Sequence, residues 1–166
     1  MMERKTAYFA GGCFWCITPT FHEMVGVRKV VSGYCGGTEE NPSYEDVKKQ
    51  RTGHRETISI DYNPEMRTYR DLVQTFLKNV DPFDDGGQYI DRGHSYTLAI
   101  YYQTEDERTT ALEEIAALEA ASHQAVTVAV EPFSRFYTAE EEHQDYYLKH
   151  PEEFRKELIE SGRIKG

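Results

Sequence analysis

The segment Ala7-Tyr8-Phe9-Ala10-Gly11-Gly12-Cys13-Phe14-Trp15-Cys16 carries the strongest structural signal in this chain. Its first four residues form an apolar run typical of a strand, and a helical pattern follows the glycine pair to about residue 25. Cys13 therefore falls at a strand-to-helix junction, where helix amide groups and the helix dipole stabilise a thiolate, the reactive form of cysteine. Phe14 and Trp15 would form an apolar wall beside it. The segment predicts a sulfur nucleophile that acts on a small apolar group.

Pro19 lies inside this helical pattern. Proline is tolerated at the first helical position. Two helix starts are therefore compatible with the sequence. The helix begins near Cys13, or it begins at Pro19 with the cysteines on a preceding turn.

Composition limits the class of protein. The chain has 166 residues, which fits one domain, and its net charge of −10 argues against nucleic acid or anionic lipid as a partner. No run approaches the roughly 18 apolar residues of a membrane helix, and the N-terminal apolar stretch is too short for a signal peptide. We expect a cytoplasmic protein that contacts no membrane. Three cysteines do not make a disulfide scaffold.

Strand-like and helix-like segments alternate along the chain. Thr68 can cap a helix to about Asn79, and Thr104-x-x-Glu107 is a capping box for a helix to about Ala121 with Leu112, Ile115 and Leu118 inward. Thr138-x-x-Glu141 is expected to open a further helix that Pro151 breaks. A last helix over 152–161 would end at Gly162. The strands are expected near 6–10, 27–34, 58–62, 96–102 and 125–131.

This order of elements predicts one α+β domain over residues 1–166. The first six elements match the split βαβ pattern of ferredoxin-like folds. We therefore expect a ferredoxin-like core with a mixed sheet and an irregular C-terminal extension.

Cys13 and Cys16 are three residues apart, so on one helical turn they face the same side and can approach disulfide geometry. Zinc needs four ligands, and only Cys35 and scattered histidines remain, so we expect no metal. A thioredoxin-like motif is a weak interpretation, because Phe-Trp lies between the two cysteines. An EF-hand over 81–91 fails because Phe83 occupies a ligand position.

Two further residues are open to two interpretations each, and a third has one. Glu56 stands at the mouth of a strand, where desolvation could keep it protonated, although position alone favours a solvated edge carboxylate. Tyr96 could point its hydroxyl into a pocket or be an ordinary core aromatic. Tyr44 is by itself a loop tyrosine.

Taken together, the chain resembles the methionine sulfoxide reductase A family, the peptide-methionine (S)-S-oxide reductases. The resemblance covers nearly the whole chain to about residue 150. It rests on six ordered segments: Gly12-Cys13-Phe14-Trp15, Gly33-Tyr34-Cys35-Gly36-Gly37, Asn41-Pro42-Ser43-Tyr44, Thr52-Gly53-His54-Arg55-Glu56, Asp91-Arg92-Gly93-His94-Ser95-Tyr96 and His143-Gln144-Asp145-Tyr146.

The resemblance implies a role for each matched residue. Cys13 would attack the sulfoxide sulfur, Phe14 and Trp15 would hold the S-methyl group, and Glu56 would protonate the sulfoxide oxygen. Tyr44 and Tyr96 would hydrogen-bond this oxygen through their hydroxyls. The carboxylate of Asp91 would help to organise the site.

The implied chemistry leaves a cysteine sulfenic acid, which condenses with a nearby thiol to a disulfide. Many family members use a C-terminal cysteine for this step, but the last cysteine here is Cys35. Cys16 is the candidate resolving residue by proximity, and Cys35 is the second candidate or a relay. We expect a monomer without a bound cofactor that repairs methionine-S-sulfoxide, free or in peptides, and is recycled by thioredoxin, or by dithiothreitol in vitro.

Two other functions fit the Cys13–Cys16 pair. One is a general thiol–disulfide oxidoreductase, and the other is a redox-sensing or methionine-peptide-binding module without turnover. Only sulfoxide reduction needs a proton donor, so the Glu56→Ala variant would separate them.

Overall fold

A computed structural model describes residues 4–160 of the chain. Two 3-10 turns, His94–Tyr96 and Glu141–His143, accompany the helices and strands. In chain order these are β1 (Lys5–Gly11), α1 (Phe14–His22), β2 (Val27–Cys35), α2 (Tyr44–Lys48), β3 (Arg55–Tyr62), α3 (Tyr69–Lys78), β4 (Gly87–Gln88), β5 (Asp91–Arg92), β6 (Leu98–Tyr102), α4 (Glu105–Ser122), β7 (Ala129–Pro132), β8 (Phe136–Thr138), α5 (Tyr146–Lys149) and α6 (Pro151–Glu160).

Six strands form one sheet in the order β7-β6-β1-β3-β2-β8, and β4 and β5 form a separate small hairpin. The four inner strands, β6, β1, β3 and β2, are antiparallel to one another. β3 lies between β1 and β2, and β1 lies between β3 and β6, so each βαβ unit is split by a strand of the other. β7 joins β6 in parallel, which makes the sheet mixed. The expected α+β fold with a ferredoxin-like core is confirmed.

The two faces of the sheet carry different cores. One face packs against the helices and includes Phe9, Tyr34 and Ile58. The other face holds a smaller cluster that includes Cys35 and Tyr101. Since neighbouring strand residues point to opposite faces, Tyr34 and Cys35 lie on opposite sides of the sheet.

The first helix begins directly after Cys13. α1 spans Phe14–His22 with Pro19 inside it, so the alternative start at Pro19 is wrong. Proline lacks the amide that would bond the carbonyl of Trp15, but the helix continues and the Glu23 amide donates to the Pro19 carbonyl at 3.1 Å. Both cysteines therefore belong to the first turn of α1.

The sequence expectations for α3 and α4 have different outcomes. Thr68 and Asp71 form the capping box of α3. In α4, Ile115 is buried as expected, but Leu112 is 40% exposed and Ala111 takes the inward position. A step of three residues falls about 60° short of a full turn, so Leu112 rotates away from the face that carries Ile115.

The C-terminal third departs most from expectation. Thr138 ends strand β8, which pairs with β2, so no helix opens there. The side chain of Gln144 holds the following segment, since it bonds both the amide and the carbonyl of Ser32 at 2.9 Å. β7 also begins later than expected, at Ala129. The last helix is present as α6, and the expected cap at Gly162 lies outside the described residues.

Within residues 4–160, no helix has the length and apolar character needed to cross a membrane.

Candidate active site

The glycine pair places Cys13 at the N-cap of α1. Gly12 has φ +87°, a left-handed conformation that favours glycine. A Cβ at Gly11 would lie 2.8 Å from Ile17 Cδ1, so close packing of β1 on α1 also requires glycine. The Cys16 amide donates to the Cys13 carbonyl at 3.0 Å, which closes the first turn. The two thiols are hydrogen-bonded to each other.

Glu56 reaches this helix start from the neighbouring strand β3. The Phe14 amide donates to Glu56 Oε1 at 3.2 Å, and the residue is 1% exposed. Glu56 Oε2 is buried and makes no regular hydrogen bond within residues 4–160, and the Tyr96 hydroxyl lies close enough to act as a donor that opposes the rise in the pKa of Glu56. Burial raises the pKa of Glu56 to about 8, with the charges of Asp91 and Cys16 adding to the effect. At neutral pH the carboxyl is mostly protonated, and because Oε1 accepts the amide, the proton belongs on Oε2.

The Cys13 thiol has a raised pKa in this state. Its hydrogen bond with Cys16, burial, and the nearby Glu56 and Asp91 carboxylates all favour the neutral thiol. The expectation that the helix start stabilises a thiolate is therefore wrong for the substrate-free protein. The first backbone amide of α1, that of Phe14, donates its hydrogen bond to Glu56 and not to the Cys13 sulfur. Protonation of Glu56 removes one of the charges that oppose thiolate formation.

Aromatic rings form one wall of the site. Trp15 stacks on Tyr146 with ring centroids 4.1 Å apart, and Tyr44 packs on His143 at 4.0 Å. Phe14 is fully buried and contacts the rings of Trp15 and Tyr44 from behind. Trp15 thus presents the apolar surface, and Phe14 supports it.

Tyr44 is fixed through its backbone by Glu140. The Tyr44 amide donates to Glu140 Oε2 at 3.1 Å, and the Tyr34 hydroxyl donates to Glu140 Oε1 at 2.9 Å. This carboxylate joins α2 to the buried strand β2 and sets the position of the Tyr44 ring.

The site opens into a cavity of about 190 Å³. Burial raises the pKa of Tyr44 and of Tyr96, and the charge of Glu56 raises both further. Both hydroxyls therefore lie near this carboxyl. The residues that line the cavity are Cys13, Trp15, Cys16, Tyr44, Lys48, Ile90, Asp91, Tyr96, Glu157 and Glu160.

Cys35 is separate from this group. It is fully buried on the opposite face of the sheet, and burial raises its pKa to about 12. Tyr101 donates from its hydroxyl to the Cys35 carbonyl at 3.3 Å. The structure brings Cys16, and not Cys35, close to Cys13.

Among the residues that the structure describes, one group has the composition of a metal site. Glu140, Glu142 and His143 bring their ligand atoms within 4.8 Å of one another. Glu140 already accepts hydrogen bonds from Tyr34 and Tyr44, so we assign this carboxylate to positioning Tyr44.

Sequence reasoning missed several residues of the site. His143 is 7% exposed and stacks on the aromatic wall, and Glu140 holds the Tyr44 backbone. No sequence pattern pointed to four further residues of the cavity lining, because they reach it from three separate parts of the chain: Lys48, Ile90, Glu157 and Glu160. The Tyr146–His150–Phe154 spacing of aromatic rings was the available sign that α5 and α6 pack on this wall.

Comparison with known proteins shows the family of the chain. The family model described as peptide methionine sulfoxide reductase matches residues 5–165. The MsrA of Bacillus licheniformis is 44% identical over 163 residues, which cover 97% of this chain and 90% of that protein. The MsrA of Halalkalibacterium halodurans is 43% identical, with coverage of 98% and 94%.

Two solved structures share the fold. Methionine sulfoxide reductase A of Corynebacterium diphtheriae superposes with a TM-score of 0.81 at 30% identity, covering 89% of this chain and 76% of that one. Reduced Mxr1 from Saccharomyces cerevisiae superposes with a TM-score of 0.85 at 26% identity, covering 90% and 87%.

The fold and the paired cysteines define a thiol-dependent oxidoreductase. More narrowly, the chain belongs to the peptide methionine sulfoxide reductase family, in its MsrA branch, and it reduces methionine sulfoxide to methionine.

Proposed function

We propose that Cys13 attacks the sulfur of methionine-S-sulfoxide while Glu56 protonates the departing oxygen. The observation that supports this most is the state of Glu56: buried, mostly neutral at pH 7, held through Oε1 by the Phe14 amide, with no regular hydrogen bond at Oε2 in the described part of the chain. A neutral acid with one oxygen fixed and the other oxygen not fixed is suited to donate a proton to a ligand. Tyr44 and Tyr96 would hydrogen-bond the same oxygen, and Asp91 would organise the site.

The reaction balances as a two-electron oxidation of the thiol. Attack of the Cys13 sulfur on the sulfoxide sulfur forms a sulfur–sulfur bond while the oxygen takes up a proton. The intermediate then collapses: the hydroxyl passes from the substrate sulfur to the Cys13 sulfur, the sulfur–sulfur bond breaks, and methionine leaves with the electron pair. Glu56 gives its proton to the oxygen and is restored by the proton that leaves the Cys13 thiol. Trp15, with Phe14 behind it, would hold the S-methyl group and keep water from the reacting atoms.

Cys16 would resolve the resulting sulfenic acid. The two cysteines share one helical turn and their thiols are hydrogen-bonded. Condensation of the Cys16 thiol with the Cys13 sulfenic acid releases water and forms a disulfide. Cys35 would need a rearrangement of the sheet to take this role, so we place it second, as a relay or as a core residue.

A dithiol protein would restore the two thiols by exchange. Yeast Mxr1 has been solved in complex with Trx2, which supports thioredoxin as the reductant here. We further propose that residues 1–166 form one catalytic domain, monomeric and cytoplasmic, without a bound cofactor or metal and without nucleic-acid partners.

The test is reduction of the separated S and R epimers of N-acetylmethionine sulfoxide with dithiothreitol, with the N-acetylmethionine product followed by chromatography. We expect turnover of the S epimer alone, and none with the Cys13→Ser variant. Insulin disulfide reduction is measured in parallel. Turnover of insulin without turnover of either sulfoxide would replace the proposal with general thiol–disulfide exchange.

A further inference from the structure

Gln50 ends the short helix that begins with Tyr44. Its backbone has φ +62°, in the left-handed region that glycine usually occupies after a helix. The Gln50 amide donates to the Val47 carbonyl at 3.1 Å. The Arg51 amide donates to the Asp46 carbonyl at 2.9 Å. These two bonds form a Schellman motif after α2, with a glutamine at the position where glycine would be least strained.

The Gln50 side chain joins α2 to the 3-10 turn that ends with Tyr96. Gln50 Nε2 donates to Ser95 Oγ at 2.7 Å and to the Lys48 carbonyl at 3.1 Å. The Ser95 amide donates to Gln50 Oε1 at 2.9 Å. The reversed amide would place a donor against the Ser95 amide and an acceptor against the Lys48 carbonyl. One side-chain amide therefore connects the last residue of α2 with the amide and the hydroxyl of Ser95.

This connection is packed as well as hydrogen-bonded. Gly93 precedes the turn with φ +118°, and a Cβ at this position would lie 2.6 Å from Gln50 Cδ. The Tyr96 amide donates to the Gly93 carbonyl at 3.0 Å, and Ser95 is 1% exposed. Only glycine at position 93 leaves room for the Gln50 amide, so the turn and the glutamine fit each other.

Two tyrosines of the cavity lie at the two ends of this connection. Tyr44 is the first residue of α2, and Tyr96 directly follows Ser95. Both line the cavity that contains Cys13. Because Glu140 already accepts from the Tyr44 amide, α2 is held at both of its ends by side chains from elsewhere. The bonds of Gln50 to a residue 45 positions away thus set the distance between the two tyrosines.

We propose that Gln50 is a positioning residue that holds the hydroxyls of Tyr44 and Tyr96 at the spacing needed to bind one sulfoxide oxygen. This inference rests on the proposed function, because it takes both hydroxyls to bond that oxygen. Two donors act on one atom together only when their separation is fixed, and a misplacement of about 1 Å can cost about 100-fold in rate. The left-handed backbone of Gln50 is costly for a residue other than glycine, and the three side-chain bonds offset that cost.

The test is a double-mutant cycle of Gln50→Gly and Tyr96→Phe. Glycine adopts the left-handed conformation freely, so Gln50→Gly removes the side-chain bonds without straining the backbone. The quantity measured is kcat/KM for the S epimer of N-acetylmethionine sulfoxide with dithiothreitol, which does not depend on the later reduction of the disulfide. We expect Gln50→Gly to lower kcat/KM about tenfold in the wild-type protein and less than about twofold in the Tyr96→Phe protein, because its effect passes through the Tyr96 hydroxyl.

Two further variants complete the experiment. His123 ends α4 with φ +59° and is exposed, so His123→Gly makes the same substitution at the same kind of helix end and should keep the wild-type kcat/KM. Gln50→Asn tolerates the left-handed conformation and keeps an amide, but its side chain is one methylene shorter. We expect it to lose activity as Gln50→Gly does. Far-UV circular dichroism and thermal unfolding show that each variant is folded at the assay temperature.

The outcomes separate this inference from the proposed function. An equal loss from Gln50→Gly with and without the Tyr96 hydroxyl would show that Gln50 only supports the fold, and would overturn the inference. A wild-type kcat/KM in both Gln50→Gly and Gln50→Asn would overturn it as well. A wild-type value for Tyr96→Phe alone would overturn the role proposed for Tyr96 and the inference with it. Absence of S-epimer turnover by the wild-type protein would overturn the proposed function itself.

Discussion

The Glu56→Gln variant tests the proposed acid through stability as well as activity. Glu56 has a pKa of about 8 in the folded protein, against an ordinary value of 4.5. Between these two pH values the folded state holds a proton that the unfolded state releases, so the free energy of unfolding falls as pH rises. At about 1.4 kcal/mol per pH unit, the interval from 4.5 to about 8 costs the wild-type protein at most about 5 kcal/mol.

Glutamine is nearly isosteric with the neutral acid and does not ionise. The Phe14 amide can still donate to the Oε1 atom of the glutamine side chain. The variant should therefore match the wild type near pH 4 and exceed it above pH 8. We expect the difference in the free energy of unfolding between the two proteins to grow by about 4 kcal/mol from pH 5 to pH 8.5.

The assay is urea unfolding of both reduced proteins, followed by tryptophan fluorescence and far-UV circular dichroism at half-unit pH steps. Glu105→Gln removes a carboxyl that is 81% exposed and serves as the control. Parallel pH profiles for wild type and Glu56→Gln would refute the reasoning, because Glu56 would then be ionised in the folded state.

The same substitution should remove the acid from catalysis. General acids contribute about 10²- to 10⁴-fold, so single-turnover release of methionine should slow by at least 100-fold. In the wild type the rate should fall above pH 8, as the carboxyl loses its proton, and the variant should lack this limb. A variant that is more stable and less active would show that the buried acid is kept at a cost to folding.

Three further predictions follow from the site geometry. Cys16→Ser should release one methionine per protein with thioredoxin as reductant and accumulate a sulfenic acid that dimedone labels and mass spectrometry detects, whereas Cys35→Ser should still turn over; full recycling by Cys16→Ser would exclude Cys16 as the resolving residue. Gly12→Ala forces a side chain into a left-handed conformation with φ +87°, so it should lower the free energy of unfolding by about 1–3 kcal/mol and slow alkylation of Cys13 by iodoacetamide; an unchanged urea midpoint would contradict this. Tyr34→Phe removes the 2.9 Å bond to Glu140 and should cost about 1 kcal/mol of stability while raising KM through Tyr44, and an unchanged KM would show that the Glu140 bridge does not position that ring.

Local sequence patterns predicted the structure correctly where one short segment contained all the residues that interact. The glycine pair before Cys13 required a tight strand-to-helix turn, and the structure has one because Gly12 has a positive φ. Thr68 and Asp71 cap α3 as their spacing indicates. Such signals depend on contacts within a few residues, so the sequence contains them completely.

Predictions were wrong where a partner distant in sequence competed for the same groups. The helix expected from Thr138 is absent because β2 takes Thr138 into the sheet and Gln144 bonds Ser32, 112 residues away. The thiolate expected at Cys13 is disfavoured by the hydrogen bond with Cys16 and by burial, while Glu56, on another strand, takes the first helix amide.

The sequence by itself therefore determined the split βαβ core, the position of Cys13 at a helix start and the family to which the chain belongs. Only the tertiary structure decided that burial raises the pKa of Glu56, that Cys35 belongs to the core on the opposite face of the sheet, and that α6 brings Glu157 to the cavity. The physical reason is that a pKa and a cavity depend on burial and on charges from several elements. Those elements meet only after the sheet has formed.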